Sequence, residues 1–89
     1  MVVQLGAYGS RDMLEAGWAK LSRRHGLLTR YTPATARFQA PIGPVYRLSL
    51  QGFESADEAR TVCQRLKGAG AACFVRNVAG DTAVRFASR

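Results

Sequence analysis

Tyr46-Arg-Leu-Ser-Leu-Gln-Gly-Phe53 alternates apolar and polar side chains and then breaks at a glycine just before a helix start, the pattern of a strand buried on one side. Leu48 and Leu50 are expected to face a core, and Arg47 and Ser49 the opposite side. A charged side chain should therefore be tolerated at Ser49 but not at Leu48 or Leu50. The stretch Val2-Val-Gln-Leu-Gly-Ala-Tyr8 has the same layout 45 positions upstream, with Val3 and Leu5 standing where Leu48 and Leu50 stand, and Gln4 where Ser49 stands. The chain reads as two copies of one unit, with functional side chains on the polar side of the paired strands.

Each of these strands leads into a helix. Ser10 is placed to cap one from about Arg11 to His25, whose apolar positions Leu14, Gly17, Trp18 and Leu21 recur at helical spacing. Lys20, Arg23, Arg24 and His25 crowd its last turns and Gly26 stops it, so His25, the only histidine, reads as a helix-end residue. Ser55 with Glu58 forms a capping box ahead of a second helix, about Ala56 to Lys67, with Ala59, Val62, Cys63 and Leu66 as its buried face. Between the two units, Leu27 to Tyr31 reads as a second strand. The segment 32–44, which holds all three prolines, reads as a long loop, because proline cannot donate to a central ladder. Ala72 to Arg76 reads as the fourth strand, with Cys73 and Val75 inward and Phe74 and Arg76 outward. Ala79-Gly-Asp81 is a turn, and Thr82 to Phe86 is expected either to fold back as a short extra strand or to fray, within a tail covering about 78–89.

Strand, helix, strand, repeated once, is the βαββαβ or split βαβ plan, an α+β fold of the ferredoxin-like or RNP-like kind. Its four-stranded antiparallel sheet carries both helices on one face. The other face is expected to be open and to present Val2, Gln4, Gly6, Arg47, Ser49, Phe74 and Arg76. The 89 residues suffice for one domain, 1–89. The Met1 start reads as a boundary inside a longer protein.

The net charge of +7 arises from 13 Lys and Arg against 6 Asp and Glu. Five acids (Asp12, Glu15, Glu54, Asp57 and Glu58) flank the helix starts, where the helix dipole favours them. Between Ala16 and Phe53 there is no acid, while Lys20, Arg23, Arg24, Arg30, Arg37 and Arg47 all fall there. An anionic partner would account for this bias, and a solvated basic surface would account for it equally. One histidine and helix-capping acids do not assemble a catalytic site, and Cys63 and Cys73 lie in no Cys-x-x-Cys pair. The chain is therefore expected to be no enzyme and to need no cofactor or metal.

Val3-Gln-Leu-Gly-Ala-Tyr8, Tyr46-Arg-Leu48, Phe53 with Ser55, Glu58 and Ala59, and Leu66-Lys-Gly-Ala-Gly70 leading to Cys73-Phe-Val-Arg76 together resemble the SPOR domains, sporulation-related repeats of bacterial cell-envelope and cell-division proteins. The resemblance implies binding to peptidoglycan, specifically to glycan strands stripped of their stem peptides, by the open sheet face. It also implies a monomeric module of a larger exported or membrane-anchored protein, in the periplasm or cell envelope and directed to the septum, with no membrane contact of its own. The family's binding positions fall on Gln4, Ala7, Arg47 and Phe74, and Tyr8, Ser49 and Arg76 complete the expected glycan-binding set. Ala7 offers no hydroxyl, so its contact would be apolar or through the backbone.

RNA binding is the alternative, since RRM modules share the topology. They stack bases on aromatics of the first and third strands, and here those positions are Val2, Gln4, Arg47 and Ser49, so no nucleic acid is expected. A structural interaction domain is a third reading. An envelope setting also permits a disulfide between Cys63 and Cys73, with two buried free thiols as the other outcome.

Overall fold

The computed structural model describes residues 1–86, and the end of the expected fraying tail, 87–89, lies outside the described residues. The elements are β1 (Val2–Tyr8), α1 (Arg11–Arg24), a 3₁₀ turn (Gly26–Arg30), β2 (Thr32–Ala40), β3 (Gly43–Gln51), α2 (Ala56–Gly68), β4 (Phe74–Arg76) and β5 (Thr82–Ala83). The strands form one antiparallel sheet in the order β4-β1-β3-β2-β5. This is the split βαβ arrangement, enlarged from four strands to five by the short β5.

Both helices begin as their capping residues require. The Ser10 hydroxyl accepts from the Met13 amide at 3.1 Å, and the Ser55 hydroxyl accepts from the Glu58 amide at 3.1 Å. Glu58 completes its box by accepting from the Glu54 amide at 2.7 Å, one residue before the cap, and takes the Tyr31 hydroxyl at 3.2 Å. The helices cover one face of the sheet. Leu14 of α1 and Ala59, Val62, Cys63 and Leu66 of α2 close a core over Val3, Leu5, Leu48 and Leu50, with Leu28 of the 3₁₀ turn filling its side. Cys63 and Cys73 are bonded through their sulfurs, Cα atoms 5.8 Å apart, which ties α2 to the residue before β4.

The second strand differs from the sequence reading. Leu27 to Tyr31 belongs mostly to the 3₁₀ turn, whereas the proline-bearing segment forms β2, joined to β3 by a tight turn at Pro41-Ile42. The prolines are accommodated because none is asked for a ladder donor. The Pro33 carbonyl accepts from the Val84 amide at 2.9 Å, so that residue's polar edge faces outward, away from β3. Pro44 pairs with Gln39 beyond the last β1–β3 pair, Tyr8 with Tyr46, and Gly43 takes the positive φ of 135° that closes the hairpin.

A bulge in β1 is the second departure. Gln4 stands opposite Ser49 but Gly6 opposite Leu48, so two steps on β1 answer one on β3. The alternation reverses there. Gly6 and Tyr8 turn to the helix side, and Ala7 turns to the face away from the helices, beside Arg47. The ring of Tyr8 lies against Gly17 of α1 so closely that a Cβ at that position would collide with it.

The third departure concerns the face expected to be open. β4 and β5 occupy opposite edges of the sheet, so residues 77–81 must cross it. They cross the face away from the helices, because Asp81 receives the hydroxyl of Ser49, which alternates with the core residues Leu48 and Leu50. The chain then pairs with the outer edge of β2, at Ala34 and Thr35, and ends its described part with Phe86 stacked on Trp18 of α1, ring centroids 6.0 Å apart. This strap has thus passed from the sheet face round to the helix side.

Candidate functional site

The strap divides the sheet face in two. Under it, Arg76 and Asp81 form a forked ion pair, Nη1 to Oδ1 at 2.8 Å and Nη2 to Oδ2 at 2.9 Å. Arg76 also donates from Nε to the Gln4 side-chain oxygen at 2.8 Å, and Ser49 donates to Asp81 at 2.8 Å. The Asp81 side chain is fully buried and that of Arg76 nearly so. The Arg76 guanidinium, helped by the Ala79 amide and the Ser49 hydroxyl, holds the Asp81 carboxyl far below the usual carboxylate range, against a burial effect that alone would raise it. Val2, Ala34 and Ser49 are fully buried beneath this cover. Ser49 is therefore no exposed contact residue, and the expectation that it would tolerate a charge is corrected: a long-range acid already occupies the space above it.

Beyond the strap the face stays open. Arg47 stands between Ala7 of β1 and Ala36 of β2. Its guanidinium carbon lies 4.2 Å from the centre of the Phe38 ring, which projects from the same face of β2. That is inside the roughly 6 Å range of a cation–π contact. Among the described residues Arg47 has no carboxylate partner, so its planar donor fork remains available. Ala7 is exposed between two depressions. One, about 140 Å³, is lined by Gln4, Gly6, Ala72 and the half-exposed Phe74. The other, about 350 Å³, runs past Gly9, Pro44 and Val45 to Ile42, which projects almost entirely into solvent.

The seven residues singled out from the sequence thus part company. Ala7, Arg47 and Phe74 lie on the open half, with Ala7 beside Arg47 in the sheet and on the rim of the depression that Phe74 lines. Gln4 sits at the border: its amide oxygen is committed to Arg76, it lines the smaller depression, and its amide nitrogen has no partner among the described residues. Ser49 and Arg76 are spent on the strap. Tyr8 reaches the rim of the larger depression but packs its ring on the helix side, where burial pushes its phenol up from the ordinary value. Phe38 was missed because 32–44 read as a loop, which has no alternation to follow, and Val45 because it falls between that segment and the strand read from Tyr46. Asp81 was missed although it carried a signal: it is the one acid in the chain not at a helix start.

Among the described residues no helix is long and apolar enough to cross a membrane, and no group of three or more metal-ligating side chains comes together. No curated protein and no solved structure matches the chain. A family model described as the SPOR domain matches residues 1–77, from the start of β1 through the end of β4, leaving most of the strap outside the match. SPOR domains are binding domains rather than enzymes, known for peptidoglycan binding in cell division and found in bacterial envelope and division proteins. With both βαβ units inside the matched span, the chain belongs to the SPOR domain family.

Proposed function

We propose that this domain binds glycan strands of peptidoglycan from which the stem peptides have been removed, using the open half of its sheet, and that it acts as one monomeric module directing a larger envelope protein to the division septum. The observation that carries the reading is Arg47, an arginine without a carboxylate partner among the described residues, its guanidinium over the Phe38 ring beside the small Ala7. Removing the peptide from muramic acid leaves a lactyl carboxylate on every second sugar, and a guanidinium takes a carboxylate in two parallel hydrogen bonds. The contact with the Phe38 ring restricts the Arg47 side chain before ligand arrives, which lowers the ordering cost of binding. Gln4 adds an amide donor for sugar hydroxyls or acetamide oxygens. Ala7 and Phe74 supply a low apolar floor on which a sugar face can lie.

Co-sedimentation with purified cell-wall sacculi, before and after amidase treatment, tests the reading. Amidase-treated sacculi should retain the domain more strongly than untreated ones. Equal retention, or a preference for single-stranded RNA over treated sacculi at physiological salt, would overturn it.

A further inference from the structure

A second cavity lies on the opposite side of the molecule from the sheet face, between α1 and the connection that follows α2. Its volume is about 400 Å³, within the range of small-ligand sites. Leu5, Gly17, Leu21 and Ala71 give it an apolar floor, and Lys20, Arg24 and His25 stand at its rim. The Tyr8 hydroxyl reaches it beside Gly17 and makes no hydrogen bond among the described residues. Lys20 and Arg24 are four residues apart on one helix face, and neither has a carboxylate partner among the described residues. Cations at a helix C-terminus are ordinarily explained by the dipole, but that effect fades within the last turn. Lys20 lies a turn earlier and is not accounted for in that way. Two like charges four apart on a helix repel each other slightly, a cost that an anion between them would offset.

We propose that this cavity is a binding site for an acidic peptide, whose carboxylate is held between Lys20 and Arg24 with the Tyr8 hydroxyl as a third donor. A small aliphatic side chain next to the carboxylate fits the floor of Leu5, Leu21 and Ala71. Gly17 lets the Tyr8 ring lie close against α1, because a Cβ there would meet it, and so brings the Tyr8 hydroxyl to the wall of the cavity. Gly70 and Ala72, both exposed, flank the half-buried Ala71 on the far wall and leave that side of the cavity open to solvent for the rest of the peptide. The site uses none of Arg47, Phe38 and Ala7, and Tyr8 alone also reaches the rim of the larger depression on the open half, so its cations can be removed without touching the residues proposed to bind glycan.

The test is an amide chemical-shift titration of the whole domain with acetyl-Ala-Glu, with acetyl-Ala-Gln amide as the neutral control and inorganic phosphate as a simple anion. Saturable shifts are expected at Gly17, Leu21 and Ala71, with none at Phe38 or Arg47. The neutral peptide should leave the spectrum unchanged, and phosphate should bind more weakly than the acidic peptide. The double variant Lys20→Gln/Arg24→Gln should retain the parent melting temperature and lose affinity at least about tenfold, as expected for losing charged hydrogen bonds. The proposal is overturned by equal shifts with the neutral peptide, by phosphate binding as tightly as acetyl-Ala-Glu, by an undiminished affinity in the double variant, or by shifts centred on the sheet face instead.

Discussion

Two arginines, Arg76 and Arg47, project from the same face of the same sheet, yet the halves they occupy differ in every physical respect. Around Arg76 the chain supplies its own acid. Asp81 is carried over the face by the strap and is itself held by the Ser49 hydroxyl, while Gln4, the Asn77 carbonyl and Asp81 accept from a guanidinium whose side chain is only 14% exposed. Around Arg47 no acid arrives, and the guanidinium rests on an aromatic ring with its hydrogen-bonding edge free. A cation on an open β-sheet is thus not by itself a ligand anchor. What decides is whether a distant segment returns with the complementary charge. In this molecule that segment mostly lies beyond the 77 residues matched by the family model.

The comparison is broken most severely at Ser49. Ser49→Asp would bury a second carboxylate against Asp81 with no new cation, and an unpaired buried charge costs several kcal/mol against a total stability of about 5 to 10 kcal/mol. Circular dichroism should find this variant largely unfolded, whereas Ala7→Asp, one half-sheet away and exposed, should change stability by no more than about 0.5 kcal/mol. Matching melting curves for the two variants would erase the distinction between the halves.

Asp81→Asn comes next. It leaves the Arg76 charge buried without a counter-charge, which typically costs about 3 to 5 kcal/mol. Arg47→Ala, in the open half, should cost no more than about 1 kcal/mol. Urea unfolding at neutral pH reads both. The sign of the pH dependence follows from the depressed carboxyl. A group whose folded value lies below its ordinary value, here 3.8, contributes stability that is fully present above that ordinary value and is lost as pH falls toward the folded one. The parent should therefore lose stability below about pH 4 with a slope that Asp81→Asn lacks. Identical acid limbs for the two proteins would show the clamp to be energetically silent.

The open half has its own fastening, the Cys63–Cys73 disulfide immediately before Phe74. Closing a loop of this length contributes about 2 to 3 kcal/mol, chiefly by restricting the unfolded chain. Reduction should lower the denaturation midpoint accordingly, and mass spectrometry of unreduced, alkylated protein should find no alkylated cysteine. Two alkylations per chain would mean that the thiols are free.

The smallest effect on the fold is expected for Arg47→Lys, which is read by binding. A lysine keeps the charge but lacks the planar fork, so binding to amidase-treated sacculi should weaken by about 1 to 3 kcal/mol without a change in melting temperature. If Arg47→Lys binds as well as the parent while Arg76→Lys loses binding and remains folded, the roles assigned to the two halves are reversed.

Much of the fold was already legible along the chain, and the reason is locality. Ser10, Ser55 and Glu58 announce the helix starts because a cap is satisfied within three or four residues of itself. Val3 and Leu5, like Leu48 and Leu50, announce their strands because alternation needs no partner to be read. The 45-residue repetition of that pattern implied the split βαβ plan before any pairing was known. Three things could be decided only by the folded molecule. Whether proline is compatible with β2 depended on which way the edge of Pro33 points, and that is set by the neighbouring strand. Which side Ala7 and Tyr8 occupy depended on a one-residue bulge that pairing with β3 creates. Whether Arg76 or Arg47 is free for ligand depended on Asp81, which lies 32 residues from Ser49 in sequence and 2.8 Å from it in space. The first class of features obeys short-range sterics and hydrogen bonding, which leave their mark in adjacent letters. The second obeys long-range register and charge pairing, whose partners no local window contains.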